Sequence, residues 1–167
     1  GVLPKLIASG DIEGAERTAQ EYHAVFGDDY YIELQDHGLE LQKEVMVELV
    51  RIARKFNIKL LATNDVHFIN ADDYEAHKIL ICLNTGRKLN EQTKMLYTGQ
   101  EYLKSPEEMA ELFKDYPEAI ANSMEIANKV EVYPMERDPI LPVFDIPKSF
   151  GSIDDYLQKY PLEKVEQ

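Results

Sequence analysis

The sequence predicts an α/β chain built on parallel strands, and three observations carry that reading. Residues 30–34 form a short run rich in aromatic and β-branched side chains, residues 39–56 form a long amphipathic stretch, and residues 58–63 form a second short apolar run. A parallel pair needs a crossover of about a dozen residues or more, and a helix over 39–56 supplies it. Polar residues crowd after both runs, as expected where the carboxyl ends of parallel strands meet loops.

The elements follow in chain order. From Asp11 to Phe26, Ile12, Ala15, Ala19, Tyr22 and Phe26 recur at three- and four-residue steps, with Asp11 placed to cap and Gly27 to terminate. That spacing predicts an amphipathic helix. Tyr30 to Leu34 reads as a strand ended by Gln35, Asp36, His37 and Gly38. Leu39 to Phe56 puts Leu41, Val45, Leu49, Ile52, Ala53 and Phe56 on one helical face. Ile58 to Thr63 reads as a strand buried on both faces, so 30–63 is a βαβ unit.

Asp72 with Glu75 three positions later has the pattern of a capping box, opening a helix through Ile79, Leu80 and Leu83. Residues 85–103 read as a loop with at most a short strand. Ser105, Pro106 and Glu108 fit the N-cap, first and third positions of a helix that includes Met109, Leu112 and Phe113. Pro117 opens another through Ile120, Met124 and Ala127. Prolines 134, 139, 142 and 147 then break regular structure, which predicts a linker, and Ser152 to Tyr160 has the pattern of a short helix.

With 167 residues, 44% of them hydrophobic, the chain has the length of one domain plus a tail. A net charge of -13 argues against autonomous DNA binding, because phosphate affinity comes mainly from Lys and Arg. The single cysteine, Cys82, cannot make an internal disulfide, and the apolar run Ile79 to Leu83 is too short to span a bilayer. A cytoplasmic chain without a membrane segment is expected. Two parallel strands are also too few for a stable sheet, so the chain is expected to be a fragment that exposes an apolar flank.

Chemistry concentrates at the strand ends. In extended backbone, residues i and i+2 project to one side, so Asp65 and His67 could offer a carboxylate and an imidazole to one metal ion, of the zinc, manganese or iron class. Such a metal could activate water for phosphoester hydrolysis. The alternative is a hydrogen-bonded turn, with Asp65 capping amides and His67 on the surface. Glu33, His37 and Asn64 are further candidates at the same end, although Glu33 also fits a solvent-facing strand position and His37 a turn. His23 and His77 read as surface or boundary residues, and Cys82 as a core residue. No Gly-x-Gly-x-x-Gly, P-loop or Gly-x-Ser-x-Gly motif is present.

The strings Tyr31-Ile-Glu-Leu-Gln-Asp-His-Gly38, Leu61-Ala-Thr-Asn-Asp-Val-His-Phe68, Glu75-Ala-His77, Tyr102-Leu-Lys-Ser-Pro-Glu-Glu-Met109 and Pro117-Glu-Ala-Ile-Ala-Asn122 resemble the alpha subunits of bacterial DNA polymerase III. The resemblance runs from about Gly1 to Pro147. It implies the C-terminal part of a PHP (polymerase and histidinol phosphatase) domain, a distorted seven-stranded α/β barrel with parallel strands, followed by a helical connection and a proline-rich linker. By it, residues 1–132 are that part of the PHP domain with its helical connection, and 133–167 are the linker and the start of the palm near Leu141 to Phe144.

The same resemblance makes Asp65 and His67 metal ligands whose companions lie outside this chain. The fragment alone would then hold little or no metal and carry no catalytic residue. Its parent would be the replicative polymerase, and its partners the rest of the alpha chain, the proofreading exonuclease subunit and, through the parent, DNA. A free-standing PHP-type phosphoesterase and a non-catalytic docking module are the alternatives.

Overall fold

The protein is described from a computed structural model that covers residues 1–91, 97–140 and 145–165. Two compact units divide it, Gly1–Glu131 and Val132–Gln167.

In the first unit the centre is a βαβ unit. Strand β1 (Tyr31–Leu34) and strand β2 (Lys59–Ala62) pair in parallel, with Tyr31 opposite Lys59 and Leu34 opposite Ala62. Between them runs α3 (Glu40–Phe56), whose Val45, Leu49, Val50, Ile52 and Ala53 are buried. It stops at Asn57, whose left-handed backbone (φ 53°) brings the following Ile58 amide back to the Ala53 carbonyl at 2.9 Å. Ile32 and Leu34 from β1, and Leu60 and Ala62 from β2, join these residues in the core. The predicted face of α3 holds except at two positions. Leu41 is exposed and Val50 is buried, because the first turn of α3 borders an open groove with Pro4 and Leu39 while later turns pack on the sheet.

Helix α2 (Ile12–Phe26) starts where Asp11 accepts a hydrogen bond from the Gly14 amide (2.8 Å) and ends at Gly27, as its sequence predicts. Only its small residues Gly14, Ala15 and Ala19 are buried. Tyr22 and Phe26 remain exposed, so the packed stripe is shorter than the periodicity suggests. The small residues let α1 (Val2–Ala8) pack closely, with Leu3 and Ile7 in the core. Sequence reading missed α1. Its Pro4 stands in the first turn, where the missing N–H costs no helical bond.

Helix α4 (Tyr74–Thr85) is preceded by a 3-10 turn at Ala71–Asp73, and the capping box is made by Asn70 and Asp73 rather than by Asp72 and Glu75. No residue of α4 is buried, and Ile79, Leu80 and Leu83 are exposed. These three residues give α4 an exposed apolar face. Among the described residues of 85–103, only an isolated parallel bridge joins Tyr102 to Phe68.

Helix α5 (Pro106–Leu112) has the predicted Ser105–Glu108 capping box and delivers Phe113, 1% exposed, into the core. Helix α6 (Pro117–Lys129) lies along β2, with Ala119 buried, Ile120 partly so and Met124 exposed. The Asn122 amide donates to the Leu60 carbonyl (2.7 Å). Glu125 accepts from Tyr31 (2.7 Å) and Lys59 (2.6 Å), and Lys129 binds Asp29 (2.7 Å), so one ionic network spans α6, β1 and β2.

In the second unit, 132–140 form no regular element, and α7 (Ile153–Val165) carries on past the predicted end at Tyr160. Phe150 packs edge-on against Tyr156 at 5.0 Å. The expected palm start at 141–144 lies outside the described residues. The described residues form an α/β arrangement with one two-stranded sheet that does not close on itself, and no helix among them is long and apolar enough to cross a membrane.

Two outcomes follow from this packing. Phe113→Ala should cost about 3–5 kcal/mol, read from chemical denaturation of the chain, because the site it vacates lies deep in the core. Hydrogen bonds from Lys59 and then Tyr31 lower the Glu125 carboxyl to about 2 from an ordinary 4.5. A depressed carboxyl stabilises the fold fully above its unfolded value, and that contribution disappears as pH falls from about 4.5 to about 2. Thermal melts across that window should therefore decline less steeply in Glu125→Gln than in the wild type; parallel curves would contradict the network's role.

Candidate functional site

Parallel pairing sends both strands out at one edge, and the polar residues after them separate into a buried cluster and an exposed pair. The Thr63 amide donates to the Leu34 carbonyl (3.1 Å) and so continues the ladder by one bond. Glu33 stays exposed and accepts from the Thr63 hydroxyl at 2.6 Å, while Gln35 donates to Thr63 at 3.0 Å. Glu33 thus serves as a cross-strand acceptor, set apart from the groups farther along.

His37, Asn64 and Glu101 form the buried cluster, with 7%, 6% and 2% exposure. His37 Nε2 lies 3.0 Å from the Asn64 carbonyl oxygen, which can only accept, so Nε2 carries the proton. Its Nδ1 faces the Gln42 amide nitrogen at 3.5 Å and Glu101 Oε1 at 3.7 Å. The Asn64 side chain donates to the Gln100 (3.0 Å) and Tyr102 (2.7 Å) carbonyls, fastening the strand end to the later segment. Its Oδ1 is buried and has no hydrogen bond among the described residues.

Glu101 holds the other side of this latch. Its carboxylate accepts from the Thr98 amide (3.1 Å), the Gly99 amide (3.0 Å) and the Thr98 hydroxyl (3.2 Å). Burial alone would raise its pKa. Backbone amide donors, nearby His37 and the Thr98 hydroxyl outweigh that and leave it below the ordinary carboxylate value. The Glu101 carbonyl in turn accepts from the His67 amide (2.8 Å).

Asp65 and His67 sit outside the latch. They do come together, with Asp65 Oδ2 3.9 Å from His67 Nδ1, but not by the extended alternation their spacing suggests. Strand β2 ends at Ala62 and Asp65 is left-handed (φ 47°), so a turn makes the pair. His67 Nδ1 donates to the Asp65 carbonyl at 2.6 Å, which leaves Nε2 as the nitrogen with a lone pair. The two side chains are 56% and 31% exposed. In donor type they suit a divalent cation. Among the described residues, no group of three or more His, Cys, Asp or Glu side chains gathers around a common point.

Glu101 escaped sequence reasoning, since an acidic residue after Thr98-Gly99 looks like any polar turn. The only signal was a carboxylate two and three residues beyond amides that a turn leaves free. His77, read as a surface or boundary residue, is half-buried against His67 (ring centroids 5.6 Å), and Tyr97 touches both rings.

These features define a βαβ segment of an α/β protein, with a hydrogen-bonded latch and a carboxylate–imidazole pair at its strand ends. Over nearly its whole length the chain is similar to one segment of DNA polymerase III alpha subunits. It is 38% identical to the DNA polymerase III subunit alpha of Borreliella burgdorferi, over 99% of this chain and 15% of that protein. It is 39% identical to that of Treponema pallidum, over 95% of this chain and 14% of the relative. The Pseudomonas aeruginosa protein is 38% identical, over 100% of this chain and 14% of its own length. The chain therefore spans about 15% of the length of the relatives it matches. No family model matches it.

Removing the Glu101 carboxylate orphans amides that the turn cannot satisfy elsewhere. Glu101→Ala should cost about 1–3 kcal/mol in denaturant melts. It should also speed hydrogen exchange at the His67 amide, and unchanged exchange there would show that the latch does not hold the turn.

Proposed function

We propose that this chain is the C-terminal part of the PHP domain of a replicative DNA polymerase III alpha subunit, whose parent catalyses template-directed DNA synthesis. The observation that carries the proposal is the 38–39% identity over 95–100% of the chain to proteins of that name. Residues 1–132 would be this part of a seven-stranded barrel with its helical connection, and 133–167 the linker and start of the palm. The exposed Ile79, Leu80 and Leu83 suit burial against the rest of the alpha chain. The net charge of -13 suits a segment that leaves DNA contact to other parts of a cytoplasmic polymerase, with the proofreading exonuclease subunit as a further partner.

Within this reading Asp65 and His67 supply two ligands of a divalent metal site of the zinc, manganese or iron class, and residues outside the chain supply the others. The Asp65 carboxylate offers charge and His67 offers Nε2, with Nδ1 engaged by the Asp65 carbonyl. A bound divalent metal would lower the pKa of a coordinated water for phosphoester hydrolysis. The buried latch fixes the turn through the His67 amide, so the ligands need little reordering on binding.

The test uses the full-length parent. Asp65→Asn and His67→Ala should weaken divalent metal binding at least about 10-fold and reduce metal content in elemental analysis. Metal-dependent phosphoester hydrolysis should fall with it. Template-directed primer extension by the wild type supports the polymerase assignment, and its absence would favour a free-standing phosphoesterase. A wild-type parent that holds no metal would overturn the ligand assignment and favour a docking role.

A further inference from the structure

We infer that His77 and Tyr97 are positioning residues for His67, two mutually touching rings that brace one side of its imidazole. The inference rests on the reading of Asp65 and His67 as a ligand pair, and it concerns what keeps that imidazole in one orientation.

Three rings from three separate pieces of chain meet pairwise. His67, on the turn after β2, lies 4.7 Å from the Tyr97 ring, tilted 64°, and 5.6 Å from the His77 ring. His77, on the first turns of α4, meets Tyr97 at 4.8 Å and 86°. Each side of this triangle falls within the range of favourable edge-to-face and tilted contacts.

This brace is itself supported. Phe68 packs on His77 at 5.2 Å and on Tyr74 at 6.1 Å, and the Tyr74 hydroxyl donates to the Tyr97 carbonyl at 2.7 Å. The 3-10 turn and α4 carry Tyr74 and His77 one helical turn apart, so one rigid element presents both supports. A partly exposed imidazole on a turn would otherwise sample several rotamers, and ordering it only when a ligand arrives would weaken binding.

His77 gives this arrangement a distinctive signature. Its Nε2 is buried and makes no hydrogen bond among the described residues. What His77 contributes is therefore a flat ring rather than a polar contact, and another flat ring of similar size should serve. This separates the brace from the rival idea that His77 is a further metal ligand, which phenylalanine could not replace.

The experiment compares wild type, His77→Ala, His77→Phe and Tyr97→Leu in the full-length alpha subunit. It reads Zn²⁺ and Mn²⁺ affinity by chelator competition, the visible spectrum of the Co²⁺-loaded protein, and hydrogen exchange of peptides covering 64–68. His77→Ala and Tyr97→Leu should weaken metal binding by about 10-fold or more, perturb the Co²⁺ spectrum and speed exchange in the turn. His77→Phe should restore all three toward wild type. Equal losses in His77→Phe and His77→Ala would overturn the inference in favour of a ligand or hydrogen-bonding role, and wild-type behaviour in His77→Ala would overturn it outright. If the wild type binds no metal, the ligand reading fails on its own. The exchange data still test the brace in that case, since it requires faster exchange in His77→Ala than in His77→Phe.

Discussion

The parallel pairing of β1 with β2 is the constraint on which the rest of the unit depends. Both strands run the same way, so the polar residues after Leu34 and after Ala62 leave at one edge and have nowhere to diverge. The Thr63 amide extends the ladder to Leu34, and the His37 imidazole then reaches the Asn64 carbonyl across the same gap. A pair of four-residue strands is not stable alone. Its register survives because α3 buries the apolar side chains of both strands and α6 fastens β2 through Asn122 and Glu125.

The strand-end groups divide according to how their polar atoms are satisfied. His37 and Glu101 lie almost wholly out of solvent, and each spends its polar atoms on protein partners, as buried polar groups must. Their polar atoms are taken up within the fold. Asp65 and His67 are partly exposed, and with Nδ1 engaged by the Asp65 carbonyl, His67 keeps the Nε2 lone pair for a ligand. The left-handed Asp65 creates this division: it turns the chain away immediately after the buried Asn64, and aspartate tolerates that conformation better than most residues. The latch and the pair are thus two products of one turn, linked through the bond from the His67 amide to the Glu101 carbonyl.

Periodicity and capping chemistry made much of the fold legible. Asp11, Gly27, Ser105, Pro106 and Glu108 act locally, and each does what its neighbours in sequence dictate. Burial was legible only where an element packs along its whole length. Tyr22, Leu41 and Met124 continue their helical stripes, yet they lie beyond the reach of the small sheet and remain exposed. Asp65 and His67 were identifiable as donors of the right type, but their spacing pointed to an extended backbone that the turn does not have. Glu101 and the ring contacts of His67 were illegible, because they join positions more than thirty residues apart or assemble rings from separate elements, and no local pattern encodes such meetings.

The two sides of the sheet differ in what they leave open. Thr63 bonds back to β1, so by the alternation of a strand the peptide groups of Leu60 and Ala62 face the other way. At Leu60 that outward carbonyl is taken by the Asn122 side chain, and the ionic network of Glu125 with Lys59 and Tyr31 holds α6 beside it. A further strand adding next to β2 would have to displace these contacts, including a carboxylate held at about 2 by its donors. On α4, Ile79, Leu80 and Leu83 are exposed. Polar contacts therefore secure the β2 edge, while the apolar area in need of burial lies on the helix that also carries His77. Packing against that helix would stiffen the support beneath His67, since His77 on α4 touches the His67 ring.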